Sequence, residues 1–224
     1  MSAGETLPGE LWRTGDELCD RVESWPVAAT ARPYDGDFVS VRLDAVLGAD
    51  GAKFERVVVE HQGAVGVLAL DGQRRVLLLR QYRHAVGRRL LEIPAGVRDV
   101  AGEEPVAVAA RELAEEAHLR AGDWRLLLEL LPSPGVTDEH WWVFLARDLS
   151  VAVGGDHVAV HEEADMTAVW VPLEEAVRAV LDRRLTDSMA AAALLAVTVV
   201  EHRDGMDALP EVPLTDEIAA PPAG

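Results

Sequence analysis

P-A-G-V-R-D-V-A-G-E-E-P-V-A-V-A-A-R-E-L-A-E-E-A-H-L, residues 94–119, carries two patterns at once. Read as a helix in its second half, at about 100° per residue, it sets Glu112, Glu115 and Glu116 on one face. Val106, Ala110, Leu113 and Ala117 fall on the opposite face, so one side is core and the other a carboxylate cluster. Pro105 suits the first helical position, and Glu103 and Glu104 stand where the positive end of the helix dipole favours acids. Like charges at this spacing cost about 0.2–0.5 kcal/mol per pair in an isolated helix, a strain that a cation at the face relieves. Oxygen ligands at i, i+3 and i+4 suit a hard cation such as Mg²⁺. Alone, Glu115-Glu116 would mean only a solvated surface.

Glu103, seven residues, then R-E-L-x-E-E at 111–116 resembles the signature box of the Nudix hydrolases, which cleave nucleoside diphosphates linked to another moiety. Gly96 lies seven positions before Glu103 where the family has six, so the loop leading into the box is one residue longer. His118 replaces the closing glycine; histidine tolerates a left-handed backbone at a cost of about 1–2 kcal/mol at most. Neither change touches a carboxylate. Q-Y-R at 81–83, E-I-P-A-G at 92–96, and Pro134, 15 positions past Leu119, are similar to the ADP-ribose pyrophosphatase branch, and the likeness covers nearly the whole chain.

This resemblance implies an α/β fold, a Nudix-type α/β/α sandwich with a mixed central sheet, preceded by a small antiparallel β subdomain. It implies Mg²⁺-dependent hydrolysis of ADP-ribose to AMP and ribose 5-phosphate, with Mn²⁺ as a substitute. Glu112 and Glu116 become the principal metal ligands, Glu115 assists, and the Ala95 carbonyl completes a shell. Gly96 and Glu103 support the box, and Arg111 orients Glu115 or Glu103. Arg56 and Arg83 become phosphate or nucleotide contacts. For the base the family offers two regions, here represented by Glu139 and Glu162, with Glu139 ahead because its loop, P-S-P-G-V-T-D-E-H, is stiff. Other readings are a Nudix enzyme acting on a different nucleoside diphosphate sugar, a dinucleotide or a nucleoside triphosphate, and a non-catalytic ADP-ribose sensor. Retention of all three box carboxylates argues against the sensor.

At 224 residues and 24.2 kDa the chain can bury one substantial core. Its formal charge of −18 disfavours nucleic acid and acidic membrane surfaces as partners. A polyphosphate substrate would be repelled unless metal ions and local arginines invert the field. The single cysteine, Cys19, permits no internal disulfide, and no Cys/His cluster has zinc spacing, which points to the cytoplasm. The first ten residues lack the pattern of a signal peptide, and the most apolar run, Met189–Val200, falls short of the roughly 18 residues of a bilayer span.

Along the chain, residues 1–20 read as a loose segment, 21–61 as the β subdomain, 62–206 as the hydrolase domain and 207–224 as a disordered acidic tail. Strands are predicted at Val27–Thr30, Phe38–Leu47 and Phe54–Glu60, with a homodimer expected because so small a sheet buries no core alone. Its aromatics Tyr34 and Phe38 are either packing residues or part of an adenine enclosure. Gln62–Leu70 and Val76–Tyr82 read as a hairpin or adjacent strands of the central sheet. Arg83 faces phosphate or pairs with Glu92, and His84 is structural or exposed. Strands follow at Trp124–Leu131, from Trp141, and at Met166–Val171, with helices after Pro172 and over Ser188–Glu201.

Overall fold

A computed structural model of the chain describes residues 12–15, 17–100, 102–152 and 165–214. Ten strands and three α-helices are found there: β1 (Val27–Asp35), β2 (Val39–Leu47), β3 (Lys53–His61), β4 (Ala64–Ala69), β5 (Arg75–Arg83), β6 (Arg88–Glu92), β7 (Ala95–Val97), α1 (Pro105–Ala117), β8 (Leu119–Leu130), β9 (Trp141–Val151), β10 (Thr167–Pro172), α2 (Leu173–Leu181) and α3 (Ser188–Arg203). Three sheets result, with orders β1-β2-β3, β10-β5-β6 and β7-β4-β9-β8. The last is mixed, because β4 runs parallel to β9 and antiparallel to β7.

Period-two alternation on the buried strands makes the layers. Along β4, Val65, Val67 and Ala69 pack with Val106, Ala109 and Leu113 of α1. Ala64 and Leu68 face the other way, onto Leu173 and Ala176 of α2 and Ala190, Ala193 and Leu194 of α3. β9 divides likewise, Phe144 and Ala146 toward α1, Val143 and Leu145 toward α3. Helices therefore cover both faces of the sheets, the α/β/α sandwich expected. A strand buried on both faces reads as a continuous apolar run, as β4 does. Gly66 has no side chain because a Cβ there would lie 2.2 Å from the Met189 sulfur; the start of α3 closes onto the strand at this point.

Two expectations are corrected. β4 and β5 do not form a hairpin in one sheet: they share a single bridge, Leu70 with Val76, and then diverge into separate sheets, β4 toward β9 and β5 toward β10. Residues 207–214, read as part of a disordered tail, are held instead. Val212 N–H donates to Trp124 O at 2.9 Å, Leu126 N–H donates to Pro210 O at 3.0 Å, and Val212 and Leu214 pack beside Trp124 on the α1 layer. Leu209 packs on the opposite core cluster, and Arg125 and Arg147 pair with Glu211 and Asp207; residues 215–224 lie outside those described.

α1 begins at Pro105 with Glu104 as its N-cap and ends in His118, whose left-handed backbone (φ 54°, ψ 38°) lets its N–H reach the carbonyls of Leu113 and Ala114. Histidine thus fills the position the family gives to glycine. The core face of α1 is wider than its period suggested, since Ala107, Val108 and Ala109 are buried too.

Among the described residues no layer of helices covers the β1-β2-β3 sheet, and all nine residues of β1 are exposed. Polar ties hold it. Arg42 binds Asp44 at 2.7 Å and Glu60 at 2.6 Å, while the Thr30 hydroxyl donates to Asp44 and, with Arg42, holds that carboxyl below its usual range. The loop 132–140 is stitched to β3: Val59 N–H donates to Val136 O at 2.8 Å and His61 N–H to Asp138 Oδ1 at 3.0 Å. This fixes Glu139, one residue on, beside the end of β3.

Candidate active site

A cavity of about 370 Å³ opens where these elements converge. Glu112 and Glu116 come from α1, Ala95 and Gly96 from β7, Arg83 and Glu92 from the β5–β6 pair, and Glu139 and Trp141 from the approach to β9. Phe38 and His61 close one end, and Asp187 and Met189 at the start of α3 close another.

On α1 each carboxylate has a partner. Glu116 Oε2 accepts from the Ala95 N–H at 2.9 Å, tying helix to strand. Glu112 Oε1 accepts from Arg111 Nη1 at 2.8 Å, and the same nitrogen lies 3.4 Å from Glu115 Oε2. Nη2 of Arg111 stands 3.6 Å from both Glu103 and Asp99. Arg111 is thus the hub of four acids, Glu112 included, rather than an orienter of Glu115 or Glu103 alone. Gly96 lies against Glu112: an added Cβ would sit 2.1 Å from its Cδ, so only glycine leaves that carboxylate room.

Arg83 makes the ion pair weighed for it, donating from Nε and Nη2 to the two oxygens of buried Glu92 at 2.6–3.1 Å. It nevertheless lines the cavity with its side chain 44 % exposed, so pairing and facing a ligand coexist. Asp187 caps α3 through the Ala190 N–H at 2.7 Å, and burial pushes its carboxyl above the usual range. Glu139 Oε1 accepts from the Trp141 indole N–H at 2.7 Å and lies 3.5 Å from His61 Nδ1.

Not all predicted residues meet here. Arg56 lies apart from the cavity: it stacks over Phe54 at 4.4 Å and lines a separate groove with Arg42, Pro134 and Asp138. Glu162 lies outside the described residues. Tyr34 and His84 are exposed and do not line the cavity, whereas Phe38 does. Sequence reasoning gave no site role to His61, Asp187 or Trp141, nor to Gln81 beyond its place in Q-Y-R, and all four line the cavity. Asp187 had a local signal, an acid directly before a helix start; Trp141 had been read only as the start of a strand, and it also packs against the core.

The sequence profile of the NUDIX domain matches residues 60–192. The chain belongs to the Nudix family. It is 46 % identical over 167 residues to an ADP-ribose pyrophosphatase of Mycobacterium tuberculosis (strain ATCC 25618 / H37Rv), covering 75 % of this chain and 80 % of that protein. An ADP-ribose pyrophosphatase of Bacillus subtilis (strain 168) is 33 % identical over 161 residues, 72 % of this chain and 85 % of its own length. A crystal structure of an ADP compounds hydrolase superposes with a TM-score of 0.64 at 18 % identity, covering 82 % of this chain and 97 % of that one; it supports the fold. The chain is accordingly a Nudix hydrolase, and Nudix hydrolases use divalent metal ions.

As they stand, no three His, Cys, Asp or Glu side chains among the described residues are gathered closely enough to hold a metal ion. Glu112 is drawn to Arg111 and Glu116 to the Ala95 N–H, so the Nudix box brings its acids to one wall without converging them. The strain is visible at Glu112, whose pKa is pushed up to about 7 by burial first, against the opposing pull of Arg111, with Glu115 adding repulsion. The folded protein therefore holds this proton between about pH 4.5 and 7 while the unfolded chain does not. Native stability from this group is full below pH 4.5 and is lost as pH rises through 7. Glu112→Gln is expected to stabilise the metal-free protein increasingly across that window, by at most about 3 kcal/mol. Melting curves of both proteins at pH 5 and pH 8 in chelator measure it; an equal difference at both pH values would contradict the buried charge.

Among the described residues no helix is long and apolar enough to cross a membrane.

Proposed function

We propose that this Nudix hydrolase cleaves the pyrophosphate bond of ADP-ribose with water to give AMP and ribose 5-phosphate, using Mg²⁺, with Mn²⁺ as a substitute. The observation that carries this reading is one cavity lined by two box carboxylates, a guanidinium and a separate buried-edge glutamate, in a chain 46 % identical to an ADP-ribose pyrophosphatase.

The donor set fits a divalent cation. Glu112 is an acid whose charge the protein alone does not readily accommodate at neutral pH, and Gly96 leaves room for its carboxylate where a Cβ would stand. Glu112 and Glu116 would hold the ion, with Glu115 assisting and the Ala95 carbonyl adjacent. Bound there, the cation supplies neutralisation of charge on the pyrophosphate oxygens. Arg111 releases or steadies Glu112 according to its charge, and Glu103 holds Arg111 from behind. Arg83, already anchored by Glu92, presents donors to phosphate without first being ordered. Glu139 accepts a proton from the attacking water while the Trp141 N–H keeps its carboxylate oriented. Glu162 remains the second candidate for that proton.

A general base contributes about 10²–10⁴-fold, so Glu139→Gln is expected to lower kcat at least about 10²-fold with the cation requirement unchanged, and Glu162→Gln to do less. Rates at saturating Mg²⁺ decide this; a larger loss in Glu162→Gln would move the base to the later loop.

The protein is further proposed to be a cytoplasmic homodimer with a small-molecule substrate and neither nucleic-acid nor membrane partners. Trp25, Val27, Tyr34 and Val57 are 46–57 % exposed on or beside a sheet that no layer of the described residues covers. Exposed apolar side chains on this sheet support a partner surface there. A dimer built on that sheet is also what would give Arg56 a substrate to contact. Light scattering at micromolar concentration is expected to return about 48 kDa, twice the chain mass; a fully active monomer would remove the claim. The substrate assignment is tested by comparing kcat/KM across ADP-ribose, other nucleoside diphosphate sugars, dinucleotides and nucleoside triphosphates, with ADP-ribose expected to lead.

A further inference from the structure

Three polar or charged residues are buried among those described: Asp44, Gln81 and Glu92. Asp44 is bonded to Thr30 and Arg42, and Glu92 to Arg83. Gln81 is 7 % exposed, and its side chain makes no hydrogen bond to any described residue. Its amide atoms are not sealed in; they open onto the catalytic cavity, which Gln81 lines. Period-two alternation along β5 sets Gln81 on the same face as Arg83, two residues on. A buried amide without a partner costs protein stability, so this one draws its partner from the cavity.

The surroundings select what that partner is. On the neighbouring strand Glu92 stands opposite Leu79, which makes it the diagonal neighbour of Gln81 on the same face. Burial raises the Asp187 carboxyl and Glu92 adds repulsion, so the two acids share one corner of the cavity. Among the described residues Arg83 is the only Arg or Lys lining the cavity, against five carboxylates, Glu92, Glu112, Glu116, Glu139 and Asp187. With Arg83 given to the pyrophosphate, a further phosphate in this corner would meet acids alone. A sugar hydroxyl meets no such penalty, because it both donates and accepts. The Gln81 amide can answer in both senses, and the Asp187 carboxylate accepts. Phe38 and His61, at another end of the cavity, offer ring surfaces to a base, which leaves this corner to the half of the substrate beyond the second phosphate.

We propose that Gln81 and Asp187 form the subsite for the sugar carried by the second phosphate, Gln81 exchanging hydrogen bonds with its hydroxyls and Asp187 accepting one while repelling a phosphate in its place. The pair thereby sets the preference for a nucleoside diphosphate sugar over a nucleoside triphosphate. This deepens the proposed function and rests on it.

The test compares ADP-ribose with the methyl ester of ADP, which has the same pyrophosphate bond and no sugar beyond it, and with ATP. Gln81→Met keeps the length of the side chain and removes donor and acceptor. Asp187→Asn keeps an oxygen to cap α3 and removes the charge. In kcat/KM, Gln81→Met is expected to cut the preference for ADP-ribose over the methyl ester about tenfold, with no fall in melting temperature, since no bond within the described protein is lost. Asp187→Asn is expected to cut the preference for ADP-ribose over ATP by about the same factor. If Gln81→Met does not fold, Gln81→Leu takes its place. Equal proportional losses on the compared substrates, or an unchanged preference in either variant, overturn the proposal while leaving the cleavage of ADP-ribose in place. A wild-type protein that leaves ADP-ribose uncut removes the proposed function itself and this subsite with it.

Discussion

Gly96→Ala lowers kcat by at least about 10²-fold while the melting temperature stays close to wild type. The added methyl would lie 2.1 Å from Glu112 Cδ and 2.2 Å from its Oε1, so the carboxylate must leave its position. Gly96 sits in β7 with no left-handed backbone to strain, and the atoms it displaces end a flexible side chain. The fold can give way there at little cost. With Glu112 in the role proposed for it, function cannot, because a misplacement of about 1 Å in an active site is enough to cost on the order of 10²-fold. The cation requirement should rise at the same time. Steady-state rates over a Mg²⁺ titration, beside a melting curve, check both parts. Wild-type kcat in Gly96→Ala would mean that Glu112 does not work from this position.

Glu116→Gln and Glu112→Gln are each expected to remove at least about 10³-fold of activity. A cation at a pyrophosphate supplies several kcal/mol of charge stabilisation, and each 1.36 kcal/mol lost is tenfold in rate. The two variants differ in their second effect. Glu112→Gln relieves a buried charge and stabilises the metal-free fold. Glu116→Gln keeps an oxygen able to accept from the Ala95 N–H, so the tie between α1 and β7 survives and stability changes little. Full turnover by both variants with metal present would sink the assignment of these carboxylates.

The sandwich and its box helix were legible because period 3.6 and period 2 leave direct marks in sequence. Leu113 faces inward and Glu112 and Glu116 face the cavity wall, as the helical spacing dictates. The divergence of β4 from β5 was not legible. Both strands are apolar on two faces, so neither shows which neighbour it will choose, and the choice of β9 by β4 is settled by a strand nearly eighty residues later. The docking of Leu214 rests on Trp124, another long-range contact with no local pattern. At the site, residue types with a fixed spacing were readable, as with Glu112, Glu115 and Glu116. Residues that meet only through the fold were not: His61 reaches Glu139 because the 132–140 loop is bonded to β3. Arg111 illustrates the middle case. Its place beside the acids was evident, whereas its bond to Glu112 depends on rotamers that spacing does not specify.

The central claim is metal-dependent cleavage of ADP-ribose by the carboxylates of α1, and phosphorus NMR of ADP-ribose incubated with the protein tests it most directly. The pyrophosphate resonances are expected to give way to two monophosphate resonances, those of AMP and ribose 5-phosphate, when Mg²⁺ is present and not in excess chelator. Unchanged ADP-ribose with Mg²⁺ added, or the same conversion in chelator, would contradict it.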